Sequence, residues 1–258
     1  MQYDAIILAG GESSSELKKI APYDNEALII IGNYPMIYFV YKAVSQCSRI
    51  RKIVVSGPAD SLRNILPRDE HLHFVPSGDN AVESLAHAVE LLQKEGTTEK
   101  LLIMPTDIPF ITAEAIEDFI KCCEKSQNDF YYPLTSKDTN EKSFPGVSRT
   151  YVRLREGIFT GGNLFMVKTE LIDTFLGLAL KLVIRRKNPL AIARLFGLGL
   201  VWKFITGTLN LITAEKRFFQ VTGIKGKAII SSYAQIGVDV DKPSDLELAQ
   251  KHLGDKKF

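Results

Sequence analysis

Cysteine is scarce in this 258-residue chain, with Cys47, Cys122 and Cys123 alone and no Cys-x-x-Cys pair. Cys122 and Cys123 are neighbours in a helix-like stretch, so their side chains diverge. That argues against a disulfide framework and a thiolate zinc site. The thiols read as buried and reduced, as in a cytoplasmic protein. No segment approaches the roughly 20 uninterrupted apolar residues of a transmembrane helix, and the N-terminal residues do not read as a signal peptide. Excess charge is also lacking. Lys and Arg number 32 against 30 Asp and Glu, a net +2, so no dense cationic field marks the chain for nucleic acid. His71 and His73 share one face of a strand-like segment without a third ligand nearby, so zinc is not expected. Neither a P-loop, a Gly-x-Gly-x-x-Gly fingerprint nor a Gly-x-Ser-x-Gly elbow occurs.

What the chain does have is alternation. Ala5–Leu8, Lys52–Ser56, His73–Val75 and Leu101–Met104 read as short buried strands. Met36–Val44, Ser61–Leu66, Ala81–Gln93 and Thr112–Cys123 read as helices, the last capped by Thr112 with Glu114 in its first turn. This pattern predicts a mostly parallel sheet with helices on both faces. Further on, Asp129–Pro133, Tyr151–Leu154, Asn163–Val167, Lys227–Ile230 and Ile236–Val240 read as strands, with a polar loop running to Val147. Ser244–Leu253 reads as a final helix. From Thr174 to Ala214 no acidic residue occurs, while Lys181, Arg185, Arg186, Lys187, Arg194 and Lys203 are basic. This segment reads as two or more helices, broken around Asn188–Pro189 and near Gly207. Strands on both sides of it are needed to complete the sheet. A single domain over 1–258 with a helical insertion at about 174–214 is therefore expected.

Chemistry is expected at the carboxyl ends of the parallel strands, where strand order reverses. Three stretches qualify. In LAGGESSSELKK, Gly10 and Gly11 permit positive φ and close backbone approach to a ligand, with Ser13, Ser14, Ser15, Lys18 and Lys19 as further donors. The alternative is an ordinary tight turn. In LLIMPTDIP, a buried strand runs into Asp107, and an acid there is expensive unless solvated, paired or bound to metal. Mg2+ chemistry on nucleotides commonly uses one or two carboxylates plus phosphates, which makes Asp107 a ligand candidate; the alternative is an Asp bonded to the following loop. In IGVDVDKPSDLELA, Asp239 and Asp241 share one face of the expected strand. Asp239 is the preferred second ligand, Asp241 also suits a turn or cap, and Asp245 suits the first turn of the last helix.

Taken together, the LAGG loop, the strand ending in TDIP and DVDKPSDLELA resemble the MobA-like NTP transferase family, the nucleotidyltransferases of the molybdenum-cofactor guanylyltransferase type. The resemblance implies a Rossmann-like, mostly parallel sheet of the nucleotide-diphospho-sugar transferase type. It implies an NTP gripped by the first loop through Leu8, Ala9, Gly10, Gly11, Ser13 and Lys18. Ser77, Gly78, Asn80 and Ser84 would lie near the base. Asp107 and Asp239 would hold Mg2+. Thr160–Gly161–Gly162–Asn163 resembles the acceptor-side turn, with Gly162 and Asn163 on the acceptor and Lys225 as a further basic group; a plain hairpin turn is the alternative. The reaction implied is attack by an acceptor phosphate on the α-phosphorus of the NTP, releasing pyrophosphate.

Two residues depart from the family pattern. The first loop has no Arg, and Glu26 stands where a Lys is expected before the second apolar run. Lys18 or Lys19 would then supply the missing charge, with Lys19 taken as catalytic, or Glu26 would point away. A catalytically weakened nucleotide binder is the competing reading. Leu190–Ile205 adds a third. It is apolar almost all round, and Arg194 and Lys203 fall on opposite faces at about 100° per residue. The stretch reads either as a helix packed on the sheet or a dimer interface, or as a lid or an element touching an anionic membrane.

Overall fold

A computed structural model describes residues 1–147, 149–185 and 197–258. The strands in chain order are β1 (Tyr3–Leu8), β2 (Ile30–Ile31), β3 (Tyr34–Pro35), β4 (Ile50–Gly57), β5 (Leu72–Pro76), β6 (Lys100–Pro105), β7 (Phe130–Ser136), β8 (Val152–Leu154), β9 (Gly157–Gly161), β10 (Phe165–Lys168) and β11 (Gly226–Ser231). Nine of them form one sheet in the order β5-β4-β1-β6-β10-β7-β9-β8, with β11 against β7. Strands β5, β4, β1 and β6 are parallel, as are β7 and β11. β10 runs antiparallel between β6 and β7, so β7 points the same way as β6. The mixed, mostly parallel sheet expected from the sequence is present. Strand order reverses at β1, with β4 and β5 laid down on one side and β6 on the other.

Helices cover the sheet because their apolar residues recur at helical spacing. In α4 (Ala81–Glu95), Leu85, Ala88, Val89 and Leu92 are buried; in α5 (Ala113–Glu124), Ala115, Ile116, Phe119, Ile120 and Cys123 are. Asn80 accepts from Val82 N and Glu83 N, and Thr112 from Ala115 N, so both helices start where their caps lie. One core packs α2 (Met36–Ser45) and α5 on one face, and a second packs α4 on the other. A third core joins α1 (Ser15–Ile20), β2, Phe110, Phe144, Val238, Val240 and the final helix.

The structure departs from the sequence reading in several places, beginning with α1 and the β2–β3 pair, which the sequence reading did not assign. The polar stretch before Val147 contains a helix (Lys137–Ser143), started by Ser136, whose hydroxyl accepts from Thr139 N. Gly157–Gly161, read in part as a turn, is a strand paired with β7 and β8. Ile236–Val240 is not a strand. Ala234–Gly237 is a 3-10 helix, followed by an extended segment without a ladder. Val238 and Val240 are still buried and Asp239 and Asp241 still turn outward, because that alternation needs only an extended backbone.

Between β10 and β11 lie three described α-helices, Ile172–Arg185, Leu198–Ile205 and Leu211–Thr222, and Gly207, with φ +64°, marks the expected break. The expected break at Asn188–Pro189 and the first part of Leu190–Ile205 lie outside the described residues. No described helix is long and apolar enough to cross a membrane.

The parallel half is aligned by a buried acid. Asp4, within β1, has no solvent exposure. Arg51 of β4 grips both its carboxylate oxygens at 2.9 and 2.8 Å, and Thr98, just before β6, donates its N–H at 2.9 Å. Removing one partner of a buried pair costs about 3–5 kcal/mol. The Arg51 side chain is 36% exposed and Thr98 would remain, so Arg51→Ala should cost less, about 2 kcal/mol. The check is a lowered urea midpoint at unchanged m-value.

Candidate active site

The reversal of strand order puts a crevice beyond the carboxyl ends of β1 and β6, where Leu8 pairs with Pro105. The loop leaving β1 does not turn sharply. It runs against residues 24–26, with Ser13 N donating to the Asp24 carbonyl at 2.8 Å and Glu26 N to the Gly11 carbonyl at 3.1 Å. Asn25, which sequence reasoning passed over, locks this arrangement. Its Nδ2 donates to the Ala9 carbonyl and its Oδ1 accepts from Ala27 N. Neither Gly10 nor Gly11 has positive φ. Their lack of a side chain matters for space instead: a Cβ on Gly10 would collide with Ser77, and one on Gly11 with the Glu26 carboxylate.

A hollow of about 550 Å³ opens beside this loop. Leu8, Gly10, Gly11, Ser77, Gly78, Asn80 and Ser84, all expected near the nucleotide, line it together. The Ser84 hydroxyl accepts from Gly78 N at 3.1 Å and so shapes the turn after β5. Ala9 and Ser13 are buried and take no part in the lining. Lys18 is ion-paired with Asp24 at 2.9 Å, and Lys19 is exposed in the last turn of α1.

At the end of β6, Asp107, Asp239 and Asp241 each offer a carboxylate oxygen, all within 4.8 Å of one another. Two hydrogen bonds to backbone carbonyls assemble them. Val240 N donates to the Asp107 carbonyl at 2.8 Å, and the Ser14 hydroxyl donates to the Asp241 carbonyl at 3.2 Å. Asp245 accepts from the N–H groups of Asp241 and Lys242, fixing the entry to α10 (Pro243–Leu253). Asp107 Oδ1 is cut off from solvent and has no hydrogen-bond partner. An all-oxygen donor set with an orphaned buried oxygen fits a hard divalent cation such as Mg2+.

Arg149, which no sequence pattern singled out, enters this cluster. It is ion-paired with the Asp239 carboxylate and donates from Nη2 to the Asp239 carbonyl at 3.0 Å. With Thr160, Asn163, Asp241 and Lys242 it lines a polar pocket of about 240 Å³ next to the carboxylates. Gly162 N donates to the Pro133 carbonyl and Asn163 N to the Ile236 carbonyl, both at 2.9 Å, which brings Asn163 there. Lys225 is elsewhere. It precedes β11 and exchanges hydrogen bonds with Asp129 at the amino end of the sheet, opposite the crevice. Strand direction excludes it from the acceptor set expected from the sequence.

Glu26 does not point away. Its carboxyl group lies over Gly11 and interacts with Asp241 and Asp107. Burial, then Asp241, pushes its pKa to about 7. Burial, then Glu26 and Asp241, pushes Asp107 to about 7 as well. Both values are raised above the ordinary 4.5 and 3.8. Between these limits the folded chain binds more protons than the unfolded chain, so stability falls as pH rises. The metal-free protein should lose denaturant resistance from about pH 4 to about pH 7. Glu26→Gln and Asp107→Asn should each flatten that fall, as read from urea midpoints across the range.

A family model described as the MobA-like NTP transferase domain matches residues 5–193. A hypothetical transferase from Thermus thermophilus is 32% identical with a TM-score of 0.83, covering 95% of this chain and 100% of that one. A probable molybdenum cofactor guanylyltransferase from Trichormus variabilis is 28% identical over 115 residues, 45% of this chain and 50% of that protein. The match thus spans half the length of that curated relative. A 2-C-methyl-D-erythritol 4-phosphate cytidylyltransferase from Thermus thermophilus shares the fold, with a TM-score of 0.56 at 14% identity over 97% of this chain and 98% of that one. With the family model spanning well over half of its length, the chain belongs to the MobA-like NTP transferase domain family of nucleotidyltransferases.

Proposed function

We propose that this protein transfers NMP from an NTP to a phosphorylated small molecule and releases pyrophosphate. The observation that carries the reading is the cluster of Asp107, Asp239 and Asp241 within 4.8 Å, at the same edge of the sheet as the Gly10–Gly11 hollow. In this reading the Gly10–Gly11 backbone approaches the triphosphate, and the turn Ser77–Asn80 with Ser84 takes the base. An acceptor phosphate oxygen forms a bond to the α-phosphorus while the bond to the bridging oxygen of pyrophosphate breaks. Such a step needs in-line positioning and charge neutralisation more than a covalent nucleophile. Mg2+ held by Asp107 and Asp239, with Asp241 beside them, would supply the neutralisation. Arg149, Lys242 and Asn163 line the pocket in which the acceptor phosphate would sit. The buried free thiols of Cys47 and Cys123 suit a reducing compartment, and we place the reaction in the cytoplasm.

Glu26 favours a second reading. A carboxylate over Gly11 repels a triphosphate, and Lys18 is already engaged by Asp24. The chain would then bind nucleotide weakly and turn over slowly. Pyrophosphate release, assayed with each NTP and a panel of phosphorylated acceptors, separates the two. The transfer reading expects Mg2+-dependent release that falls on the order of 10²-fold or more in Asp107→Ala. NTP binding without release selects the second reading, and neither binding nor release overturns both. If charge repulsion limits affinity, Glu26→Lys should tighten NTP binding about tenfold, as measured by calorimetry.

A further inference from the structure

Two helices beyond the crevice take no part in the site: α8 (Leu198–Ile205) and α9 (Leu211–Thr222). Large apolar side chains stand exposed on both. Trp202 is 69% exposed, Ile205 70% and Ile212 70%, with Phe204 and Phe219 also exposed. Trp202 and Ile205 are one turn apart on α8, and Ile212, Lys216 and Phe219 follow one face of α9 at i, i+4 and i+7. Lys203 and Lys216 line a hollow of about 350 Å³ between the helices, and neither makes an ion pair among the described residues. From Thr174 to Ala214 the sequence contains no acid. On the sheet side, Leu200 also borders an apolar hollow of about 420 Å³ walled by Phe130, Tyr132 and Phe218.

Large aromatic and aliphatic side chains standing in water beside these lysines form an amphipathic surface with a basic excess: Glu215 of α9 is paired with Lys227, and Glu156 accepts from Leu211 N at the helix start. A second copy of this chain is a poor occupant, because a two-fold contact would place this basic patch against itself. Anionic headgroups over an apolar interior complement both parts. We infer that α8 and α9 dock the protein on an anionic lipid bilayer. Trp202, Ile205 and Ile212 enter the boundary between headgroups and chains, and Lys203 and Lys216 meet the lipid phosphates. The inference concerns where the protein works and stands apart from the transfer reaction.

The test uses the full chain with vesicles of phosphatidylcholine alone, or of phosphatidylcholine mixed with phosphatidylglycerol. Co-sedimentation should occur with the mixed vesicles and weaken with salt. Trp202 is the single tryptophan, so its emission should shift to the blue on binding. Lys203→Ser and Lys216→Ser should each weaken binding about fivefold. Trp202→Ser with Ile205→Ser should abolish it while leaving the melting temperature unchanged, since both side chains are exposed. Absent binding, equal binding to neutral vesicles, or unshifted Trp202 emission on the mixed vesicles would overturn the inference. So would a lipid-free dimer that Trp202→Ser dissociates. The emission readout needs no variant, so a variant that misfolds leaves the test intact.

Discussion

The hydrogen bond from Val240 N to the Asp107 carbonyl, 2.8 Å long, joins the end of the central strand β6 to a segment near the carboxyl terminus. Asp239 and Asp241 meet Asp107 because of it. Burial of Val238 and Val240 in the third core sets which way those acids face, and the Ser14 hydroxyl secures the Asp241 carbonyl to the first loop. The loop after β1, the strand β6 and the chain's last extended segment thus form one mechanical unit at the point where strand order reverses.

Gathering that much negative charge has an electrostatic consequence. Asp107 and Glu26 both hold their protons well above the usual carboxylate range, chiefly through burial, then through Asp241 for Glu26 and through Glu26 and Asp241 for Asp107. Arg149 supplies one compensating charge by pairing with Asp239. A divalent cation would supply two, at oxygens that include the orphaned Asp107 Oδ1. The buried Asp4 is handled differently: with Arg51 and Thr98 it is fully hydrogen-bonded. The crevice leaves its acids partly unmatched, as expected of a site and not of a core.

Much of the fold was legible in the sequence because its signals are local. The caps Asn80 and Thr112, the helical spacing in α4 and α5 and the short apolar strands are each set within a few residues. That the residues around Gly10, Ser77 and Ser84 would meet was legible for a related reason: loops at the carboxyl ends of parallel strands share one edge of the sheet. The helix Lys137–Ser143 was hidden by its polarity, and β9 by its glycines, whose strand character comes from pairing with β7.

What the sequence by itself determined was the strand–helix alternation of the parallel half, the acid at the end of β6 and the outward alternation of Asp239 and Asp241, all consequences of spacing along one chain. Only the tertiary structure decided which distant groups share a volume. It brought Arg149 into the carboxylates, turned Glu26 onto Gly11, tied Lys18 to Asp24 and placed Lys225 at the far end of the sheet. The physical reason is that a side chain's partners depend on strand direction and on which loops meet at one edge, and neither is written in the spacing of residues near it in sequence.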